Sequence, residues 1–164
     1  MIRMGQPKRQ RKKYDRPFRP YDKGRIQREK KLLSDYGLRR KHEIWRTESI
    51  LRNFRHRARE LQAVRNEERE KLLLEKINKM GLSCVNLDEV LGIKTENLLD
   101  RRLQTIVFKK GFAETARKAR QLIVHGHVYV DKRRTSWPSF IVTKDLEDKI
   151  DLSPKIKSAV MNKE

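Results

Sequence analysis

The sequence predicts an α+β protein: a helical N-terminal region followed by a small module in which two helices pack on a short, mostly antiparallel sheet. Three observations carry this reading. Apolar residues between positions 22 and 81 recur at helical spacing and end at glycines. Two further helical patterns follow between Thr95 and Val124, again closed by Gly111 and Gly126. Beyond Gly126 the pattern changes to strand-like alternation in His127–Asp131, with shorter apolar runs at Phe140–Thr143 and Lys149–Leu152. Four segments result: an extended basic arm (1–23), a helical region (24–94), the mixed module (95–152) and a C-terminal tail (153–164).

Taken in order, the arm holds nine basic and two acidic residues and three of the five prolines, Pro7, Pro17 and Pro20. Tyr14, Phe18 and Tyr21 are scattered between its cations, among them Lys12 and Lys13. With so few aliphatic residues it cannot offset its ordering entropy alone, so it is expected to order on a partner. Cations would meet phosphates and the aromatics would stack on bases. A mitochondrial presequence fits less well, because serine and an apolar stripe are missing.

Asp22 is a suitable cap for a helix running to about Tyr36, with Ile26, Leu33 and Tyr36 on one side and Gly37 as its stop. Ile50, Phe54, Ala58 and Leu61 then form one apolar stripe, while Arg46, Arg52, Arg55, Arg57 and Arg59 crowd the other faces. Only Glu43, Glu48 and Glu60 lie nearby, so most of these arginines lack an acidic partner in sequence. Arg52, Arg55 and Arg59 are therefore candidate RNA contacts. Glu67, Glu68 and Glu70 suit the start of a third helix, with Leu73, Ile77 and Met80 inward and Gly81 as its end. Leu87–Leu91 reads as a short apolar turn before Gly92.

In the module, Thr95 caps a predicted helix whose Leu99, Leu103, Ile106 and Val107 face inward and which runs to Gly111. Arg101, Arg102, Lys109 and Lys110 fall on or after its polar side. Thr115 caps the next helix, with Ala116, Ala119, Leu122 and Ile123 inward and Arg117, Lys118 and Arg120 outward. Trp137-Pro138 is expected to pack between loop and core, and Cys84, among Leu82, Val85 and Leu87, to be buried.

The charge narrows the function. Lys and Arg total 42 against 22 Asp and Glu, a net charge of +20 in 164 residues. Such a charge opposes folding by self-repulsion unless counterions or a polyanion neutralise it. Nucleic acid is the expected partner, with an anionic membrane surface as the rival. The positive excess is not uniform: Phe140–Glu164 is balanced, with five acidic and five basic residues. The longest stretch without charge, Gln121–Val130, has ten residues, about half a membrane span. No apolar segment follows the basic start, so no secretory signal is expected. One cysteine makes neither an internal disulfide nor a cysteine zinc site, which suits a reducing compartment. His125 and His127 flank Gly126 but lack further grouped ligands, and Asp145, Glu147 and Asp148 read as a turn. No nucleophile arrangement, paired catalytic carboxylates or glycine-rich phosphate loop is present.

The residues that carry a resemblance lie mainly in the module. Leu99-Asp100-Arg101-Arg102-Leu103-Gln104-Thr105-Ile106-Val107-Phe108, then Gly111-Phe112-Ala113, then Ala119 through Val130, and later Trp137-Pro138-Ser139-Phe140-Ile141-Val142, resemble the RNA-binding domain of the ribosomal protein S-four family. Tyr36-Gly37-Leu38-Arg39 and Ile44-Trp45-Arg46 are similar to its archaeal and eukaryotic branch, and Met4-Gly5 is where such a chain is expected to begin. The resemblance spans nearly the whole chain. It implies a cytoplasmic, ribosomal, non-enzymatic protein that binds small-subunit rRNA at a multi-helix junction in the 5′ region. It further implies a part in nucleating assembly of the subunit body and in decoding accuracy. A place near the channel by which mRNA enters, beside neighbouring small-subunit proteins, is implied as well. No membrane, cofactor or metal is implied; some bacterial members hold zinc on N-terminal cysteines, and this arm has none.

Against bacterial relatives the sequence departs at three places. Their Ser-Arg at the second module helix is Thr115-Ala116 here, with Arg117 one place later. Their Glu that completes a capping box is Lys118. Their Asn-Gly turn is Asp131-Lys132; Lys132 disfavours a two-residue turn with positive φ, so a longer basic loop is expected. The expected RNA contacts of the module are Arg101, Arg102, Lys109, Lys110, Arg117, Lys118, Arg120, Gln121, Lys132, Arg133 and Arg134. Two alternatives use the same module, an RNA-modifying enzyme such as a pseudouridine synthase and a ribosome-associated stress factor. The first needs a catalytic domain for which the chain has no room, and the second lacks a long helical N-terminal region.

Overall fold

A computed structural model describes residues 12–154, 156 and 157; the remaining positions, including Arg3 to Arg11 of the arm and most of the tail, lie outside the described residues. The helical region comprises α1 (Lys23–Asp35), α2 (Lys41–Ala63), α3 (Glu67–Lys79), α4 (Leu87–Gly92) and α5 (Thr95–Asp100). The module follows as α6 (Leu103–Lys109), α7 (Ala116–Val124), β1 (Val128–Val130), β2 (Arg133–Arg134), α8 (Lys144–Glu147) and β3 (Ile150–Leu152).

Local chemistry sets the helix ends. Asp22 accepts from the Arg25 amide, Asn66 from the Arg69 amide and Thr115 from the Lys118 amide, each satisfying an amide that has no helical partner. Acidic first turn and basic last turn of α3 both suit the helix dipole. Gly37 closes α1 at φ +57 because its turn presses on α7: an added Cβ would lie 3.0 Å from the Ala116 and Arg117 backbone.

The core has three parts. Leu51, Phe54 and Ala58 of α2 pack with Leu73 and Ile77 of α3, with Val90 of α4 and with Leu98 of α5. Leu103, Ile106, Ala119, Ile123 and the inward residues of β1 and β3 form a second cluster. Leu38, Ile44 and Leu99 form a small third one. Thus α5, expected in the module, packs with the helical region.

The sheet is antiparallel in the order β2-β1-β3. Val128 lies opposite Leu152 and Val130 opposite Ile150, all four buried, while Tyr129 and Asp151 share the other face.

Four sequence expectations are corrected. First, Thr95–Gly111 is not one helix. Arg102 is extended (φ −72, ψ 142) and bridges Ile141. The Leu103 amide donates to Phe140 O (2.7 Å) and the Val142 amide to Arg101 O (2.9 Å), so these groups leave the helical ladder. Second, Phe140–Thr143 is therefore no strand of the sheet; it makes one bridge to the helix break. Third, the loop after β1 is a two-residue turn, with Asp131 at φ 51 and Lys132 at φ 64, joining β1 to a short β2 of Arg133 and Arg134. Its positive φ at both central positions is that of the hairpin turn whose twist matches the strands. Strand pairing outweighs the local preference of lysine. Fourth, Trp137 is 68% exposed rather than packed between loop and core.

A left-handed lysine costs about 1 kcal/mol that glycine does not. Lys132→Gly is therefore expected to raise unfolding stability by about 1 kcal/mol in urea titration. A less stable variant would show that the Lys132 side chain contributes more than its backbone conformation costs.

Candidate nucleic-acid interface

One carboxylate organises the surface between the two regions. Glu43 sits in the first turn of α2, and its Oε1 accepts from the Arg39 amide (3.1 Å). The same oxygen accepts from Arg120 Nη2 (3.2 Å). Its Oε2 accepts from Arg102 Nη2 (2.6 Å) and from Arg120 Nη1 (3.1 Å). The Glu43 side chain is 12% exposed and that of Arg102 5%. Burial alone would push the Glu43 carboxyl up. Hydrogen bonds from Arg120 and Arg102, with their charges, outweigh it and hold the group down at about 2. Burial lowers the Arg102 guanidinium, and Glu43 works against that.

Gln104 extends the cluster. Its Nε2 lies 2.9 to 3.1 Å from Tyr36 O, Gly37 O and Ala116 O, so its two hydrogens are shared among three carbonyls, and its Oε1 accepts from Arg120. The α1–α2 turn, α6 and α7 are thereby joined through polar bonds rather than through a continuous apolar core. Tyr36 adds a hydroxyl that donates to Asp100 (3.2 Å); burial, then the Asp100 charge, pushes its phenol up to about 12.

Beside this cluster lies an open groove of about 370 Å³, lined by Arg39, Arg40, Arg46, Ile50, Pro138 and Ser139 among others. Its acid is Glu43, already saturated by internal donors. Arg39, Arg40 and Arg46 are exposed, and their side chains have no acidic partner among the described residues. The groove therefore presents uncompensated guanidinium groups on a fixed frame, suited to bidentate phosphate contact.

The predicted contact residues fall into three groups. Some are held inward. Arg102 and Arg120 belong to the Glu43 cluster, which corrects the expectation that both face outward. Arg101 binds Glu147 (2.8 Å) and Val142 O, with its guanidinium over Gly81. Lys110 bonds to Glu147 O, and Arg55 Nη2 donates to Ile93 O (2.5 Å). Others pair on the surface: Lys109 with Asp100, Lys118 with Glu114, and Arg52 with Asp15. Such pairs contribute little to stability and leave the cation accessible. Arg134 is exposed and donates to His125 O. The last group, Lys12, Lys13, Arg59, Arg117, Gln121, Lys132 and Arg133, is exposed.

Sequence reasoning placed Arg46 among crowded arginines but left it, Arg39 and Arg40 out of the contact set. The available signal was three arginines around one Glu at a helix start. Part of the arm is also already seated: Tyr14 stacks on His42 (5.8 Å between centroids) and lies 6.0 Å from the Trp45 ring, while Asp15 reaches α2 at Ser49 and Arg52. Phe18, by contrast, is 99% exposed. Cys84 is buried, with its backbone bracketed by the Asn78 side chain. Among the described residues no group of three or more candidate metal ligands occurs, and no helix is long and apolar enough to cross a membrane.

A helical region and a mixed module joined through polar bonds, carrying a groove of exposed arginines, basic helix faces and a basic hairpin, define an RNA-binding protein of the α+β class. Residues 101–148 match the S4 domain. The chain is 49% identical over 156 residues to the small ribosomal subunit protein uS4 of Hyperthermus butylicus, covering 92% of this chain and 89% of that one. It is 46% identical over 157 residues to uS4 of Sulfurisphaera tokodaii, with the same coverage. Against uS4 of Saccharolobus islandicus it is 49% identical over 154 residues, 90% of this chain and 85% of that one. The chain belongs to the uS4 family, in its archaeal-type branch.

The folded value of the Glu43 carboxyl, about 2, lies below the ordinary 4.5, so the stabilisation is full above about pH 4.5 and is lost as pH falls through about 2. The difference corresponds to about 3 kcal/mol at neutral pH. Glu43→Gln should lose about 3 kcal/mol in urea unfolding at pH 7, since it leaves two guanidiniums without a charge partner. A loss below about 0.5 kcal/mol, the range of an ordinary surface substitution, would refute the cluster's structural role.

Proposed function

We infer that this chain is a structural constituent of the small ribosomal subunit that binds small-subunit rRNA and catalyses no reaction. Family membership over about nine-tenths of the chain supports this, and displaces the RNA-modifying enzyme and the free stress factor as readings. The single observation that carries the binding mode is the groove, whose acid is satisfied internally while its exposed arginines are not. RNA phosphates drive such binding by releasing condensed counterions. A-form RNA hides its major groove, so a fixed cationic surface reads a folded junction by shape, phosphates and 2′-hydroxyls.

The target is a multi-helix junction in the 5′ region of small-subunit rRNA, and binding there nucleates the subunit body. The groove arginines with Arg117, Gln121, Lys132, Arg133 and Arg59 contact its backbone. Lys109, Lys118, Arg52 and Arg134 contribute from the surface, and Lys12 and Lys13 from the arm. Arg101, Arg102, Arg120, Lys110 and Arg55 act by holding the surface in shape. The protein further lies near the mRNA channel beside other small-subunit proteins and influences accuracy.

Replacing Arg39, Arg40 and Arg46 together with Ala should weaken binding to a transcript of the rRNA 5′ domain by roughly a hundredfold in filter binding. The log–log salt slope should become shallower by roughly 0.7 to 0.9 for each phosphate that is no longer neutralised. The thermal melt should stay within a degree or two of the unsubstituted protein, because these side chains are exposed. Unchanged affinity with an unchanged slope would refute the groove as the binding surface.

A further inference from the structure

We propose that Trp137 is a stacking platform for an unpaired rRNA base at the mouth of the arginine groove. The proposal rests on the rRNA-binding reading above and names a contact within it.

An exposed tryptophan is unusual in a chain with two of them. The other, Trp45, is partly buried, and its indole N–H donates to Glu29 (2.9 Å). Trp137 is 68% exposed, and its indole N–H has no acceptor among the described residues. Yet its backbone is held. The Phe140 amide donates to Trp137 O (3.1 Å), the Leu103 amide to Phe140 O (2.7 Å) and the Gln104 amide to Pro138 O (3.4 Å). Thr135 is fixed to β1 through Val128 O (3.0 Å). The loop is thus pinned on both sides to the start of α6 and to the sheet, while the ring stays in solvent. A pinned backbone with a free aromatic face lowers the ordering cost of a stacking contact.

Its place determines the occupant. Pro138 and Ser139, the next two residues, line the groove with Arg39, Arg40 and Arg46. A nucleotide needs both features at once, a flat apolar surface for its base and cations for its phosphate. An acidic protein segment would satisfy the arginines but has no general use for an open indole face. Splayed bases are available at junctions and bulges, where helices interrupt their stacks.

The test uses the full chain and a transcript of the rRNA 5′ domain. Trp137→Ala should weaken binding roughly five- to a hundredfold. The salt slope and the melt should not change, because the substitution removes neither a cation facing phosphate nor a side chain of the core. Trp137→Tyr should recover most of the affinity, which a role confined to side-chain packing in the loop would not predict. In Trp45→Phe, where Trp137 is the remaining tryptophan, RNA should quench the fluorescence. Full affinity in Trp137→Ala overturns the proposal. If the groove substitutions still weaken binding in that case, the rRNA reading stands and only the stacking contact falls. If they do not, both fall. Unchanged RNA binding combined with failure of Trp137→Ala to enter small subunits would assign the ring to a protein neighbour and overturn the base contact. A Trp137→Ala protein that melts early would mean that the ring holds the loop, which also contradicts the proposal.

Discussion

The carboxylate of Glu43 is the point at which the two halves of the molecule are tied. It gathers a backbone amide from the α1–α2 turn, the guanidinium at the helix break and the guanidinium on α7. A buried charge is costly unless it is paired and hydrogen-bonded, and here the donors come from three different elements, the α1–α2 turn, the helix break and α7. None can move without leaving the others short. The apolar clusters lie on either side of this point, in the helical region and in the module. Apolar packing within each half is non-directional, so it fixes their relative position less sharply than the Glu43 bonds do. Gln104 supplements the tie by sharing its two amide hydrogens among three carbonyls, one of them at Gly37, where the backbone touches α7 too closely for a side chain.

The same arrangement explains how a chain of net charge +20 keeps a defined shape. Its acids are not spread evenly over its cations. Glu43 neutralises two arginines in the interior, and Glu147 of α8 receives Arg101. Glu29 is a second internal hub, accepting from Trp45 and facing Arg25 and Lys41 between α1 and α2. What is left over is positive and lies outward, in the groove, on α7 and on the hairpin. The geometry that stabilises the free protein thus leaves its unsatisfied charge outward, where phosphates would relieve its self-repulsion.

Much of this was legible in the residues. Asp22 and Thr115 cap the helices they were expected to cap, and the stripe at Phe54, Ala58 and Leu61 faces the α3–α4 cluster. Alternation about Val128 and Val130 placed β1 correctly. The misplaced cations and the missed helix break share one cause: a partner distant in sequence. Arg102 and Arg120 look like any other cation on a helical wheel, but their carboxylate lies 59 and 77 positions away. The break at Arg101-Arg102 follows from bonds to Phe140 and Val142, which no local pattern reveals. Asp131-Lys132 is a poor local choice for its turn, accepted because β1 and β2 pair across it. Trp137, expected to pack between loop and core, stays exposed because the loop that carries it is held through its backbone.

The most direct test is to see the protein on its RNA. Electron cryomicroscopy of the small subunit containing this chain should show rRNA phosphate oxygens at about 3 Å from the side chains of Arg39, Arg40 and Arg46, a normal charge-assisted hydrogen-bond distance. Glu43 should still bind Arg102 and Arg120 as it does in the free protein. A groove facing solvent or protein, or a Glu43 cluster opened so that Arg102 and Arg120 reach phosphate themselves, would contradict a rigid surface prepared before binding.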